Sequence, residues 1–129
     1  MLLVKTKVKE SVIEWVWLFA HEYIPQWTLI WKFTPWFDLK FTIKEINKLP
    51  KEAQEYLKRY MWLSKKSWKY CFSIDNWKYF NHSKTPNSLS AYYENEEEVL
   101  TKALKNIQIW EEITDDYSTF EEWFDENNL

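Results

Sequence analysis

Two short stretches hold the side chains that could do chemistry. In Phe80-Asn81-His82-Ser83-Lys84-Thr85-Pro86-Asn87, two amides, an imidazole and two hydroxyls crowd together just after Tyr70-Cys71-Phe72-Ser73-Ile74. The latter has the apolar and aromatic content of a buried strand, which would deliver those polar groups to a site. The second stretch, Ile109-Trp110-Glu111-Glu112-Ile113-Thr114-Asp115-Asp116-Tyr117, runs through four carboxylates to a tyrosine. The two are expected to meet in space. Taken alone, each also has a plain structural reading. Asn81 and His82 could be strand-end groups satisfied by backbone, and Tyr117 a core tyrosine after a charged turn.

The chemistry expected here uses no metal. A single cysteine, Cys71, excludes an intrachain disulfide and any multi-cysteine zinc site, and fits a reducing compartment. Its neighbours are apolar or aromatic, which raises a thiol pKa, so a buried structural cysteine is expected rather than a nucleophile.

The elements that must position these groups are short. At 129 residues the chain is read as one domain, residues 1–129, with a core that needs no staple. Residues 3–8 alternate as a half-exposed strand, and residues 15–20 and 28–33 read as further strands separated by a turn. Thr42-Ile43-Lys44-Glu45 matches the capping box of a helix start. A second helix follows Pro50, with Ala53, Tyr56, Leu57, Tyr60 and Met61 on one apolar face expected to be core. Together they make a helical insert over about 42–62. Beyond the site, residues 99–103 and 107–109 are expected as strands. In the acidic C-terminal segment, about 118–129, Phe120, Trp123 and Phe124 are spaced for a short helix.

The net charge of −3 conceals an asymmetry. Residues 40–69 carry nine basic and three acidic side chains, whereas residues 111–129 carry eight acidic and no basic ones. The acidic end would attract a basic ligand and repel nucleic acid, although a solvated face reads the same way. No apolar run approaches a membrane span and the opening residues do not form a secretory signal, so a soluble, cytoplasmic protein without membrane or nucleic-acid partners is expected.

Taken in order, four segments resemble the SET-domain protein lysine methyltransferases. Asn81-His82-Ser83 with Pro86-Asn87, and Ile107 to Tyr117, are similar to that family's two signature motifs. Val16 and Leu18-Phe19-Ala20 look like its Gly-x-Gly-Leu-Phe-Ala loop, and Ile24-Pro25-Gln26-Trp27-Thr28-Leu29-Ile30 like its Ile-x-x-Gly-Thr-x-Ile segment. The resemblance implies a mainly β fold with short helices, built of small sheets (β-clip-like), with a C-terminal pseudoknot-like crossing. It implies transfer of a methyl group from S-adenosylmethionine to the side-chain amine of a lysine in a protein substrate, expected to be basic. By position, Asn81, His82 and Tyr117 would be catalytic. Trp15, Val16, Trp17, Asn81 and His82 would bind the cofactor, and Asp115, Tyr117 and Phe120 would line the substrate channel. Lys84 replaces a family cysteine and flanking zinc modules are absent, so the resemblance is to the minimal zinc-free bacterial or viral form. Asp115 stands where relatives place an aromatic residue that tunes how many methyl groups are added.

The composition carries one further oddity. Glycine averages about 7% of residues in proteins, yet this chain has none, and it has ten tryptophans. Trp15, Trp17, Trp27 and Trp110 fall where the family has glycine, and Trp68, Trp77, Trp36 and Trp62 fall at expected turns. Glycine is expected at these positions in the biological protein, for example where a reassigned UGA codon is read as tryptophan; Trp31 and Trp123 fit apolar patterns and look genuine. Indoles at 15 and 17 would crowd a cofactor, so a second reading stands beside the enzyme: a catalytically silent SET-like module that binds a basic peptide through its acidic face. A third is an unrelated interaction protein using its exposed aromatics.

Overall fold

The computed structural model describes residues 1–10 and 16–121. Ten short strands, two α-helices and two 3-10 turns follow one another: β1 (Thr6–Glu10), β2 (Val16–Ala20), β3 (Leu29–Lys32), β4 (Leu39–Phe41), α1 (Ile43–Asn47), α2 (Lys51–Tyr60), β5 (Trp62–Leu63), β6 (Tyr70–Phe72), β7 (Asn81–His82), β8 (Ser88–Ala91), β9 (Leu100–Ala103) and β10 (Thr114–Asp115). The 3-10 turns are Asn76–Tyr79 and Tyr117–Thr119. Among the described residues no strand exceeds five residues, so no one of these sheets can carry a core, and the small sheets share one.

There are four sheets among the described residues. β1 pairs antiparallel with β2, β3-β9-β8 and β4-β6-β5 form antiparallel triplets, and β7 pairs with β10 in parallel. The sheets meet on Leu18, Ile24, Ile30, Trp31, Trp62, Trp77, Phe80, Ile107, Ile113 and Phe120. Trp31 anchors this core, stacked on Trp77 at 6.1 Å and edge-on to Trp62 at 5.7 Å. A second, smaller cluster of Ile46, Leu57 and Phe72 seats the helices on the β4-β6-β5 sheet.

The helical insert forms as its sequence signals require. Thr42 accepts from the Glu45 amide at 3.2 Å while the Glu45 carboxylate accepts from the Thr42 amide at 2.7 Å, closing the capping box. On α2 the apolar face is only partly core: Leu57 is buried, whereas Tyr56 stays 46% exposed and packs edge-on to Tyr60 and Phe72. β1 begins later than the alternation of residues 3–8 suggests, because Leu2 is drawn into a bridge with Trp31 and the Leu2 amide donates to Asp75. Residues 107–109 make a single bridge, Ile24 to Ile107, rather than a strand. β4 and β8 carried no clear sequence signal; each is a triplet's edge strand whose pairing comes from its neighbour.

Of two tryptophans expected at turns, one lies in a strand and the other in a turn that is buried. Trp62 opens β5 at 5% exposure and Trp77 sits in the first 3-10 turn at 2%, stacked 4.4 Å from Phe80. Both are core residues, since an indole can span the gap between two small sheets that no longer strand fills. Trp15, Trp123 and Phe124, with the helix expected around the last two, lie outside the described residues.

Candidate active site

The two polar stretches are brought together by the parallel pairing of β7 with β10, Asn81 opposite Thr114 and His82 opposite Asp115. Parallel pairing of two strands so far apart in sequence requires a crossover. Here the chain passes through β8 and β9 before returning. The Ser83 amide donates to the Asp115 carbonyl at 2.9 Å, extending the ladder by one bond. Asn87 locks the return. Its side-chain amide donates to the Glu112 carbonyl at 2.7 Å, and its side-chain oxygen accepts from the Thr114 amide at 2.9 Å.

β2 completes the assembly from the other side. The Ile113 amide donates to the Leu18 carbonyl and the Ala20 amide to the Glu111 carbonyl, at 2.8 and 2.9 Å. The segment after Ile107 is thus held between β2 and β7. Asn81 is oriented by donating its side-chain amide to Glu112 at 2.9 Å. His82 accepts the Tyr117 amide proton on Nδ1 at 3.1 Å, and its ring lies 5.3 Å from the tyrosine ring.

Tyr117 stands where these elements converge. Its hydroxyl donates to the Phe80 carbonyl at 2.6 Å and its ring meets Phe80 and Phe120 edge-on at 5.1 and 5.9 Å. Burial, with Glu121, Asp115 and Glu112 nearby, pushes the phenol pKa far up, so Tyr117 stays a protonated hydrogen-bond donor. It is not a general base in this setting.

Beside it a small cleft of about 80 Å³, partly open to solvent, is lined by Val16, Arg59, Tyr60, Lys78, Asn81 and Tyr117, with Tyr79 and Phe80 between. Arg59 lies over the Tyr60 ring at 5.5 Å and Lys78 over the Tyr79 ring at 5.2 Å, both cations held against aromatic faces. Such a lining suits a ligand that carries both an anionic group and a flat ring. Arg59 and Lys78 escaped the sequence reading. Arg59 belongs to a helix remote in sequence from both motifs, and only the lysine's position just before Asn81 could have drawn notice.

The structure brings Val16, Asn81 and Tyr117 to one cleft, with His82 bonded directly behind Tyr117. Trp17 does not line it. That side chain projects from the β1-β2 sheet opposite Lys9, 6.3 Å from Phe19 and 40% exposed. Asp115 is fully buried and turns away into the β8-β9 sheet, where it accepts from the Ser90 hydroxyl, itself 2.6 Å from Thr101. Phe120 is core, 3% exposed and edge-on to Trp62 at 5.9 Å. Asp115 and Phe120 therefore flank Tyr117 from the protein interior. Among the described residues no group of His, Cys, Asp and Glu is placed to hold a metal ion, and no helix is long and apolar enough to cross a membrane.

Comparison with known proteins follows the same outline. A search of curated proteins gave no match. Among solved structures, a protein of Plasmodium falciparum named as a histone methyltransferase is similar with a TM-score of 0.60 at 19% identity, over 88% of this chain and 93% of that one. A humanized mutant of the Chaetomium thermophilum Polycomb Repressive Complex 2, bound to an inhibitor, is similar with a TM-score of 0.62 at 18% identity; the match covers 91% of this chain and 15% of that longer one. At such identities the likeness is one of fold. The model of the SET domain family matches residues 16–118, from the first residue of β2 to just past Tyr117, and the chain belongs to that family.

Proposed function

We propose that this protein transfers a methyl group from S-adenosylmethionine to the side-chain amine of a lysine in a basic protein substrate. The observation that carries the proposal is the cleft in which Tyr117 and Asn81 face Arg59 and Lys78. The lining fits the cofactor: Arg59 and Lys78 suit its carboxylate, Tyr60, Tyr79 and Phe80 its adenine and its sulfonium charge, and Asn81 its polar edge. When bound, S-adenosylmethionine supplies an electrophilic methyl group on a cationic sulfur.

The protein's own residues do the positioning. A lysine amine has a pKa near 10.4 and must arrive neutral to attack, and a desolvated passage between aromatic walls favours the neutral form. Tyr117, a protonated donor fixed by Phe80 and His82, aligns the acceptor and the donor sites, and holding two reactants in line supplies most of the acceleration. His82 acts through Tyr117 by accepting its amide proton, and Asn81 is held to the cleft by Glu112. Asp115 and Phe120 support the inner wall of the lysine passage. Glu111, Glu112 and Asp116 give this end of the molecule the charge to gather a basic peptide.

The test is calorimetric titration with S-adenosylmethionine, followed by transfer of labelled methyl to lysine-containing basic peptides. Micromolar-scale binding is expected, with transfer lost in Tyr117→Phe and binding weakened at least tenfold in Lys78→Ala. Both measurements are run on this chain and on a Trp15→Gly/Trp17→Gly variant, because the family resemblance places glycine at both positions. No cofactor binding by either protein overturns the proposal and leaves the silent, peptide-binding module.

A further inference from the structure

Three described residues other than glycine have a positive φ, and all three are tryptophan: Trp27 at 69°, Trp68 at 57° and Trp110 at 71°. The left-handed region is costly for any residue with a Cβ and a marked outlier for a bulky one. Ten tryptophans are spread through 129 residues, so their monopoly of the left-handed positions is not a random draw. The remaining described tryptophans, Trp31, Trp62 and Trp77 in the core with Trp17 and Trp36 outside it, have ordinary backbones.

Each of the three sits in a turn whose geometry asks for glycine. The Thr28 amide donates to the Pro25 carbonyl at 3.1 Å, and the Glu111 amide to the Gln108 carbonyl at 3.0 Å. Trp27 and Trp110 are thus third in four-residue turns, the position at which a type II turn demands positive φ and selects glycine. Trp68 closes the loop between β5 and β6. There the Trp68 amide donates to the Ser64 carbonyl at 3.1 Å and the Ser64 amide to the Lys69 carbonyl at 3.0 Å. That is a hairpin ending on a left-handed residue, again a glycine position. The indoles have little to do: Trp27 and Trp68 are 59% and 60% exposed, and Trp110 is 46% exposed against His21 and Lys9.

We infer that positions 27, 68 and 110 are glycine in the protein as its host makes it. The three turns are kept by the hydrogen bonds around them. The turn at 110 launches Glu111 and Glu112, whose backbone reaches Ala20 and Asn87 and so joins β2 to the motif that follows.

Two measurements test this, and neither reads methyl transfer, so they stand or fall apart from the proposed activity. In the first, Trp→Gly and Trp→Ala variants are made at each of 27, 68, 110 and 36, and their thermal unfolding is compared. Both changes remove the indole, but only glycine removes the Cβ that opposes a positive φ. The glycine variant is expected to melt about 4 °C above the alanine variant at 27, 68 and 110, the left-handed penalty outweighing glycine's larger unfolded-state entropy. At Trp36 the order reverses. Alanine variants as stable as glycine variants at all three positions would overturn the inference. The second measurement is the intact mass of the protein isolated from its source. A mass short of that of the tryptophan-bearing sequence by at least three tryptophan-to-glycine differences is expected, and one that fits ten tryptophans refutes it.

Discussion

Asp115 is expected to make a contribution to stability that fades as pH rises. The carboxyl is completely buried, and burial lifts its pKa from 3.8 to about 7, only partly offset by hydrogen bonds from Ser90 and the Asp116 amide. In the unfolded chain the group ionises near its ordinary value. Between the two pKa values the folded state holds a proton that the unfolded state has lost, so stability is full below about pH 4 and is lost progressively up to about pH 7. A shift of that size, at about 1.4 kcal/mol per unit, amounts to roughly 4 kcal/mol, a large share of the 5–15 kcal/mol typical of a domain. Asp115→Asn removes the titration and keeps the bonding. The oxygen of the introduced amide can accept from the Asp116 backbone N–H, while its nitrogen donates to Ser90, whose hydroxyl turns to Thr101 at 2.6 Å. Urea unfolding of both proteins from about pH 4 to about pH 8 reads the difference between them, which cancels every other titrating group. The variant is expected to match the parent at the acid end and to exceed it by roughly 4 kcal/mol at the alkaline end. Parallel pH profiles would show that Asp115 is not desolvated in the way its burial implies.

Three further outcomes are expected. Glu98, 1% exposed, is held by Lys40 at 3.0 Å and by the Ser64 hydroxyl at 2.6 Å, so Glu98→Ala should cost about 2 kcal/mol in urea unfolding by leaving the Ser64 hydroxyl without an acceptor and Lys40 with Glu97 alone, at 2.9 Å; a loss under about 1 kcal/mol would contradict that reading. Thr42→Ala opens the capping box and should lower stability by about 1 kcal/mol, while Thr42→Ser should retain most of it. Cys71, fully buried with its thiol pKa driven far up by burial and by the neighbouring Glu98, should react with a thiol reagent only at the rate of unfolding. Reaction in the native protein on mixing would refute its placement.

Much of the site was legible because it depends on side-chain types at short spacing. The polar stretch after the β6 strand, the carboxylate run ending in Tyr117 and the capping box at Thr42 are all local patterns, and each appears where the pattern places it. Asp115 and Phe120 were read as channel residues from position alone. Their orientation depends on the β8-β9 sheet and on Trp62, which no local pattern reveals. Arg59 and Lys78 were missed for the same reason: α2 meets the segment before Asn81 through tertiary packing, Tyr60 against Tyr79 at 5.6 Å and Lys78 over Tyr56 at 5.8 Å.

What the sequence by itself determined is the inventory: short strands, two helices, the first with a capping box, a lone unreactive thiol, the two polar motifs and a glycine-free, tryptophan-rich composition. What only the tertiary structure decided is how those parts meet and which of the tryptophans stand at left-handed turns. Parallel pairing of β7 with β10 joins residues more than thirty positions apart, as in the bond from the Tyr117 hydroxyl to the Phe80 carbonyl. Such a contact is set by the shared core, because strands this short have no stability of their own. Backbone angle, likewise, is a property of the folded turn. Only there do Trp27, Trp68 and Trp110 separate from Trp31, Trp62 and Trp77: the first three are exposed where φ is positive, and the others are buried where an indole fills the core.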